Sequence, residues 1–145
     1  MSMFSAFDVT ASGLTAQRLR MDVISENVAN ANTTRTEDGT PYRRKIVTFQ
    51  QKGQQQTFSQ VLHNVSSSYT GSGVKVSQIF EDTTTDMVYD PSHPDADENG
   101  YVTYPNVNIV REMTDLIDAS RSYEANSTAF GASKSMALKG LEIGQ

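Results

Sequence analysis

The segment SENVANANTTRTEDGTPYRRK, residues 25–45, marks the point where a long helical pattern gives way to a different structure. From Phe4 to Val28, the positions at alternating steps of three and four residues are mostly apolar; Arg18 and Ser25 are polar, but Leu19 and Ile24 beside them keep the stripe apolar. That period is typical of one face of an amphipathic helix. Within the segment, the turn-forming run EDGTP cannot continue a helix. The spacing therefore predicts an N-terminal helix that ends near Ala31.

A second helical period occupies the C-terminal part of the sequence. The residues of its apolar face are, in order, Val110, Met113, Leu116, Ile117, Tyr123, Phe130, Ala137 and Leu141. Asn106 or Asn108 is suited to cap its start, and the helix is expected to be about 50 Å long. In the first helix, Gly13 is expected to lower helix stability by about 1 kcal/mol relative to alanine.

Between the two helices the pattern changes to that of short strands. The predicted strands, rich in β-branched and aromatic residues, are 42–50, 74–80, 87–89 and 101–104. The polar stretch 51–73 predicts a flexible loop, in which FSQVLHNV is compatible with a short helical turn. Three or four short strands form a small sheet or a pair of hairpins, and do not make a large catalytic scaffold.

The sequence thus predicts an α+β fold in three parts. These are an N-terminal helix (1–32), a small β-rich middle domain (33–105) and a C-terminal helix (106–145). The two helices are expected to pair as an antiparallel, coiled-coil-like stem. Because the middle is too small to cover both apolar faces, we expect part of them to stay exposed and to bind other chains. An ordinary monomeric bundle, with both faces in its own core, explains the same pattern.

Composition argues against several classes of protein. The net charge of −5 disfavours a general binder of nucleic acid or of acidic membranes. The absence of cysteine excludes disulfides and thiolate zinc sites. No segment approaches the roughly 18 apolar residues of a membrane span, and the N-terminus lacks the pattern of a cleaved secretory signal. We therefore expect no nucleic-acid partner, no membrane span and, if the chain is exported, a route without signal cleavage.

Candidate sites for chemistry are few. The run DADENG (95–100) matches the first half of an EF-hand loop, but its twelfth position, which should hold a bidentate glutamate, is Asn106. We interpret this run as an acidic turn. His63 and His93 stand thirty residues apart in polar surroundings, and the sequence has no phosphate-binding or nucleophile motif. We predict no catalytic residue, no metal site and no cofactor.

Two polar clusters each have two interpretations. The basic run RRK (43–45) is either a solvated strand edge or a contact for an acidic partner. Asn27, Asn30 and Asn32 either end the helix and form a turn, or fix register against another chain.

Segments at both ends of the chain resemble the terminal signatures of a known family. SGL (12–14), Ala16, MDVI (21–24), NVAN (27–30) and NT (32–33) are similar to the N-terminal signature of bacterial flagellar rod, hook and hook-associated axial proteins. NVNIVREMTDLIDASRSYEAN (106–126) is similar to the matching C-terminal signature. The linking and terminal segments that resemble proximal-rod members of this family are 38–50, 73–79, 90–102 and 134–145. The resemblance covers nearly the whole chain; residues 51–69, rich in Gln and Ser, depart from it.

The resemblance implies a structural protein and no enzyme. Members of the family are exported unfolded through the flagellar type III secretion apparatus and assemble in the periplasm into a helical tube. Its inner wall holds the paired terminal helices, and the tube transmits torque and lets later subunits pass. The implied partners are other rod proteins, copies of the chain, and the export-gate adaptor protein at the rod base. A non-polymerising helical adaptor that binds one protein partner is the alternative.

We expect the assembly interface to use both helices. Its predicted residues on the first helix are Phe7, Leu14, Met21, Ile24, Asn27, Val28, Asn30 and Asn32. On the second helix they are Met113, Leu116, Ile117, Arg121, Tyr123, Glu124, Asn126, Phe130 and Leu141. The three asparagines are expected to place their amide groups against neighbouring chains at a fixed register.

Overall fold

A computed structural model of the chain describes residues 3–53 and 72–143. These contain, in chain order, α1 (Met3–Ala29), β1 (Lys45–Gln51), β2 (Val74–Glu81), β3 (Thr85–Tyr89), β4 (Tyr101–Pro105) and α2 (Ile109–Ile143). Two long helices at the ends of the chain, with small antiparallel sheets between them, confirm the predicted α+β fold. Neither of these helices has a stretch that is long and apolar enough to cross a bilayer.

The two helices lie side by side and run in opposite directions. Near one end of the pair, the rings of Phe7 and Phe130 meet edge to face with their centroids 5.1 Å apart. Near the other end, Asn27 on α1 hydrogen-bonds Glu112 in the first turn of α2. This antiparallel register confirms the predicted helical stem.

Asparagines act at the ends of both helices. Where α1 ends, Asn30 Nδ2 donates to the backbone oxygen of Glu26 at 3.0 Å, and Asn30 Oδ1 accepts from Thr33 Oγ1 at 3.2 Å. Where α2 begins, Asn108 Oδ1 accepts from the backbone N–H of Arg111 at 3.1 Å, as an N-cap does. The cap at Asn108 agrees with the sequence.

The described strands form two separate two-stranded sheets. β1 pairs antiparallel with β2, with Lys45 opposite Glu81, and β3 pairs antiparallel with β4, with Tyr89 opposite Tyr101. All four predicted strands are therefore confirmed. Most of the predicted polar loop, the helical turn predicted within it and His63 fall in residues 54–71, outside the described residues. The division of the chain into three domains stays a prediction.

The acidic run between β3 and β4 forms a turn, as interpreted from the sequence. Asp97 Oδ1 accepts from the backbone N–H groups of Asn99 and Tyr101 at 2.9 and 2.8 Å. Asp95 accepts from Thr34 Oγ1 at 2.8 Å. These carboxylates hold the turn to β4 and to the segment after α1. Within residues 3–53 and 72–143, no group of three His, Asp or Glu side chains is placed to hold a metal ion.

The core of the described residues is small. Its buried apolar residues are Ala16, Val23, Ile24, Ala31, Tyr42, Val102 and Ala119. The largest side chains under 2% exposed are Glu112, Val102 and Asn27, so two of these three are polar. Since buried polar groups are costly without partners, the surroundings of Glu112 and Asn27 decide how the stem is held together.

Candidate assembly interface

Asn27, only 1% exposed, lies at the centre of a buried polar network. Its Nδ2 donates to the backbone oxygen of Lys45 at 2.8 Å and to Glu112 Oε2 at 3.1 Å. Its Oδ1 accepts from the backbone N–H of Lys45 and from Tyr42 Oη, both at 2.9 Å. Both amide hydrogens are thus donated and the oxygen accepts twice, which is the full hydrogen-bonding capacity of the side chain.

Glu112, also 1% exposed, is paired with Arg44. Its Oε1 accepts from Arg44 Nε at 2.7 Å and lies 2.6 Å from Arg44 Nη2. Lys45, the next residue, pairs with Glu26 on α1. The basic run was expected to be a solvated strand edge or a partner contact. Arg44 and Lys45 are instead neutralised within the chain, because Arg44, just before β1, reaches Glu112 on α2, and Lys45, the first residue of β1, reaches Glu26 on α1. Arg43 remains exposed.

Tyr42 completes the network as a hydrogen-bond donor. Burial, together with the negative charges of Glu26, Glu112 and Glu81, raises the pKa of the hydroxyl to about 12. The hydroxyl therefore keeps its proton at neutral pH and donates it to Asn27.

α2 presents two faces where the sequence predicts one. The packed face, turned toward α1, has steps of three, four or seven residues and consists of Glu112, Leu116, Ala119, Asn126, Phe130 and Ser133. On a neighbouring side of the helix lies an apolar set that is 52–76% exposed: Val110, Met113, Ile117, Leu138 and Leu141. We call this second set the free face of α2. The predicted face combined members of both, because polar residues occupy packed positions and hydrophobicity alone does not reveal them.

Gly13 lets the two helices approach closely. A Cβ atom at this position would lie 2.8 Å from Asn126 Oδ1 on α2. Asn126 is itself held by Nδ2, which donates to the backbone oxygen of Ser122 at 2.9 Å. The sequence suggested only that Gly13 weakens α1; the structure gives it a packing role.

The predicted interface residues differ widely in exposure. Two are buried: Ile24 and Asn27. Those of intermediate exposure are Phe7, Leu14, Met21, Val28, Asn30, Leu116 and Asn126. Those that are exposed are Asn32, Met113, Ile117, Arg121, Tyr123, Glu124, Phe130 and Leu141. The Asn27 amide has hydrogen-bond partners inside the chain at each of its polar atoms. For all of these residues, contact with another chain stays a prediction.

The sequence reasoning missed the roles of Tyr42, Arg44 and Glu112 in the network. A signal was present: Glu112 lies seven residues before Ala119 and fourteen before Asn126, in phase with the packed face. A carboxylate at a packed position requires a cation nearby, and the run at 43–45 was the available one.

Comparison with known proteins assigns both helices to one family. A family model described as "Flagella basal body rod protein" matches residues 7–35, and one described as "Flagellar basal body rod FlgEFG protein C-terminal" matches residues 98–143. The flagellar basal-body rod protein FlgC of Bacillus subtilis is 50% identical over the whole of both chains. The chain belongs to the FlgC family of flagellar basal-body rod proteins. FlgC of Borreliella burgdorferi is 46% identical over 99% of this chain and 98% of its own, and FlgC of Escherichia coli O157:H7 is 42% identical over the whole of both.

The flagellar resemblance found in the sequence is thereby confirmed, and the chain is a FlgC-type basal-body rod protein. The two matched ranges contain the partners that hold the stem together, Asn27 in the first and Glu112 in the second. The second range also contains the whole free face of α2.

Proposed function

We propose that this chain is a structural subunit of the flagellar rod that polymerises through its terminal helices into a helical tube. The observation that carries the proposal is the free face of α2. It leaves large apolar side chains in water along a helix whose packed face is already covered by α1 between Glu112 and Ser133. Covering such a surface is favourable by roughly 25 cal/mol for each Å² of apolar area removed from water.

The position of this surface supports a head-to-tail assembly. Because the packed face is occupied within the chain, we propose that the free face meets a different surface on the next subunit. Contacts between unlike surfaces that do not close into a ring generate a helical filament. The neighbours would be copies of this chain and other rod proteins, with the export-gate adaptor protein at the rod base.

Transmission of torque is supported by the polar network. Asn27 and Glu112 join α1, β1 and α2 at a single point, and the ion pair of Glu112 with Arg44 is largely shielded from water. A fully satisfied buried network resists rearrangement, because displacing one member leaves others without partners. A tube built from such stems would turn as a stiff shaft around a channel through which later subunits pass.

Export is supported by the small core. Residues 3–53 and 72–143 carry few large buried apolar side chains, and the sequence has no cysteine to form a disulfide, so we expect unfolding for passage through the type III apparatus to require little work. We propose that the subunit reaches the periplasmic rod by this route without signal cleavage.

The test is a charge placed on the free face. In cells where the variant replaces the native protein, Met113→Glu combined with Ile117→Glu should abolish rods in isolated basal bodies, as seen by electron microscopy. The purified variant should keep its helical circular dichroism. Ile79→Glu, a similar change at an exposed residue of β2, is the matched control and should leave rods in place.

Two outcomes would contradict the proposal. Normal rods from the doubly substituted chain would show that the free face is not used in assembly. A purified complex of fixed, small size with one partner protein would favour the non-polymerising adaptor.

A further inference from the structure

The turn that leads into β4 contains an asparagine followed by glycine, Asn99-Gly100, and no other asparagine of the sequence precedes a glycine. In such a pair, the backbone nitrogen of the glycine can attack the side-chain carbonyl carbon of the asparagine, because glycine has no side chain to hinder the approach. Asn99 is exposed, and its carboxamide makes no hydrogen bond within residues 3–53 and 72–143. The carbon that would be attacked is therefore accessible.

The attacking group, the backbone nitrogen of Gly100, is held by the turn. Its N–H donates to the backbone oxygen of Asp97 at 3.0 Å. On either side of it, the N–H groups of Asn99 and Tyr101 donate to Asp97 Oδ1 at 2.9 and 2.8 Å. The N–H of Asp97 donates to the backbone oxygen of Tyr101 at 2.9 Å. Because the Gly100 nitrogen must leave these bonds to reach the Asn99 side chain, the attack requires that the turn opens first.

Gly100 itself is tightly packed. It is buried, with a φ of 81° in the left-handed region, and a Cβ atom there would lie 3.0 Å from the ring of Tyr89 and 3.2 Å from Pro91. Its backbone oxygen accepts from the N–H of Asp90 at 2.9 Å, which closes the turn against the end of β3. The fold thus holds the Gly100 backbone in one conformation and leaves little room there for an additional backbone atom.

We propose that Asn99 is a site of spontaneous deamidation and that the folded turn keeps it unreactive. In the unfolded chain, the Gly100 nitrogen forms a bond to Cγ of Asn99, and the side-chain nitrogen leaves as ammonia with the proton that the Gly100 nitrogen loses. The product is a five-membered succinimide ring. Water opens this ring at either of its two carbonyl groups and gives aspartate or isoaspartate at position 99. The reaction uses water alone and needs no oxidant and no enzyme.

The two products differ in their effect on the fold. Aspartate keeps the length of the main chain, whereas isoaspartate adds one carbon atom to it between residues 99 and 100. The N–H groups of Asn99 and Tyr101 share one acceptor, Asp97 Oδ1, so their separation along the main chain is fixed. Since a longer main chain does not fit this turn, isoaspartate keeps the hairpin of β3 and β4 open. The modification limits how long the chain can stay unfolded and still regain this hairpin.

The first test compares the folded and the unfolded chain. The purified protein is incubated at neutral pH with and without a denaturing concentration of urea, and mass spectrometry of the peptide that contains Asn99 measures deamidation. The reaction should be at least tenfold slower without urea, because the turn must open for it to occur. Asn126, which precedes a serine, is the internal control and should react more slowly than Asn99 in urea. Equal rates with and without urea would overturn the protection, and an unreactive Asn99 in urea would overturn the site.

The second test asks whether the bonds to Asp97 give the protection. Asp97→Ala removes the acceptor of two N–H groups, and Asn99 in this folded variant should deamidate at least tenfold faster than in the native protein. Asp82→Ala is the matched control, since Asp82 Oδ1 accepts from Thr84 in a similar turn, and it should leave the rate unchanged. Circular dichroism shows that each variant is folded. An unchanged rate in folded Asp97→Ala would contradict protection by this turn.

The third test examines the products. The native chain is aged in urea, returned to native buffer and treated briefly with a protease. Isoaspartate at position 99 should be enriched in the chains that are cut between residues 85 and 105, and chains with asparagine or aspartate there should resist. The variant Asn99→Asp should resist as the native chain does. Isoaspartate in equal proportion among cut and resistant chains would overturn its effect on the hairpin. None of these measurements depends on rod assembly, so their results are independent of the proposed function.

Discussion

The amide group of Asn27 does for β1 what a neighbouring strand would do. It bonds both the N–H and the oxygen of Lys45, because a carboxamide presents a donor and an acceptor side by side as a peptide group does. Its second hydrogen and second acceptor position reach Glu112 and Tyr42. Aspartate would lack the donors and leucine would lack every bond, so asparagine fits this position for a specific chemical reason.

We expect Asn27→Ala to lower the free energy of unfolding by about 2–4 kcal/mol, because it leaves several buried polar groups without partners. Asn32→Ala, at an exposed position nearby, should change it by less than about 0.5 kcal/mol. Urea denaturation of the purified proteins measures both. Similar small losses in the two variants would mean that water replaces the network at little cost.

Because of Tyr42, we expect the stability of the protein to fall at alkaline pH. The hydroxyl ionises near pH 10.0 in the unfolded chain and near 12 in the folded one, so the folded state holds its proton more tightly. Its contribution is fully present below about pH 10 and is lost as the pH rises toward about 12. We expect Tyr42→Phe to flatten the fall in unfolding free energy across this window. Tyr123→Phe, on the exposed side of α2, is the control. Its free energy of unfolding should fall across this window as that of the native chain does.

At the scale of the elements, periodicity identified both helices and all four strands. It could not identify which side of α2 packs on α1. Glu112, Asn126 and Ser133 occupy packed positions, and a hydrophobic pattern records them as solvent-facing. Their burial depends on partners that are distant in sequence, such as Arg44 for Glu112, so no local pattern contains it. The free face was predicted in part, through Met113, Ile117 and Leu141, because its residues are apolar and regularly spaced.

The close contact of the helices at Gly13 leads to a prediction about the helix pair. In an unhindered helix, Gly→Ala stabilises by about 1 kcal/mol. At Gly13 we expect no gain, since the new methyl group must displace the Asn126 side chain. In an Asn126→Ala background the gain should reappear. Gly131, with open space around it on α2, is the control and should gain about 1 kcal/mol in either background.

A double-mutant cycle built from urea denaturation isolates this coupling between Gly13 and Asn126. An equal gain from Gly13→Ala in both backgrounds would show that the side chain moves aside freely. The glycine would then have no packing role.

At the scale of the whole molecule, a single chain buries only part of its apolar surface. The helices pair with each other, so the stem does not depend on a neighbour to form. Among the described residues, the free face of α2 lies outside the packed seam and is open to a neighbour. On the proposed function, the driving force for polymerisation is the burial of this face, and folding of the stem precedes it.

The apolar surface that a single chain leaves exposed is clearest at the end of α2. Phe7 packs against Phe130, so Met3, where α1 begins, lies opposite the turn near residue 134. The helix continues to Ile143, and Met136, Leu138 and Leu141 are all more than half exposed there. A helical segment without packing opens easily, and its amide hydrogens exchange quickly with solvent.

We expect amide exchange in the isolated protein to be at least tenfold faster over residues 136–143 than over 112–133. In assembled rods the difference should shrink, since a neighbouring subunit would cover the exposed end. Hydrogen-exchange mass spectrometry resolves the two segments on separate peptides, and residues 112–133 serve as the internal control. Equal protection of both segments in the isolated protein would mean that the end of α2 is stable without a partner, and that its order does not depend on assembly.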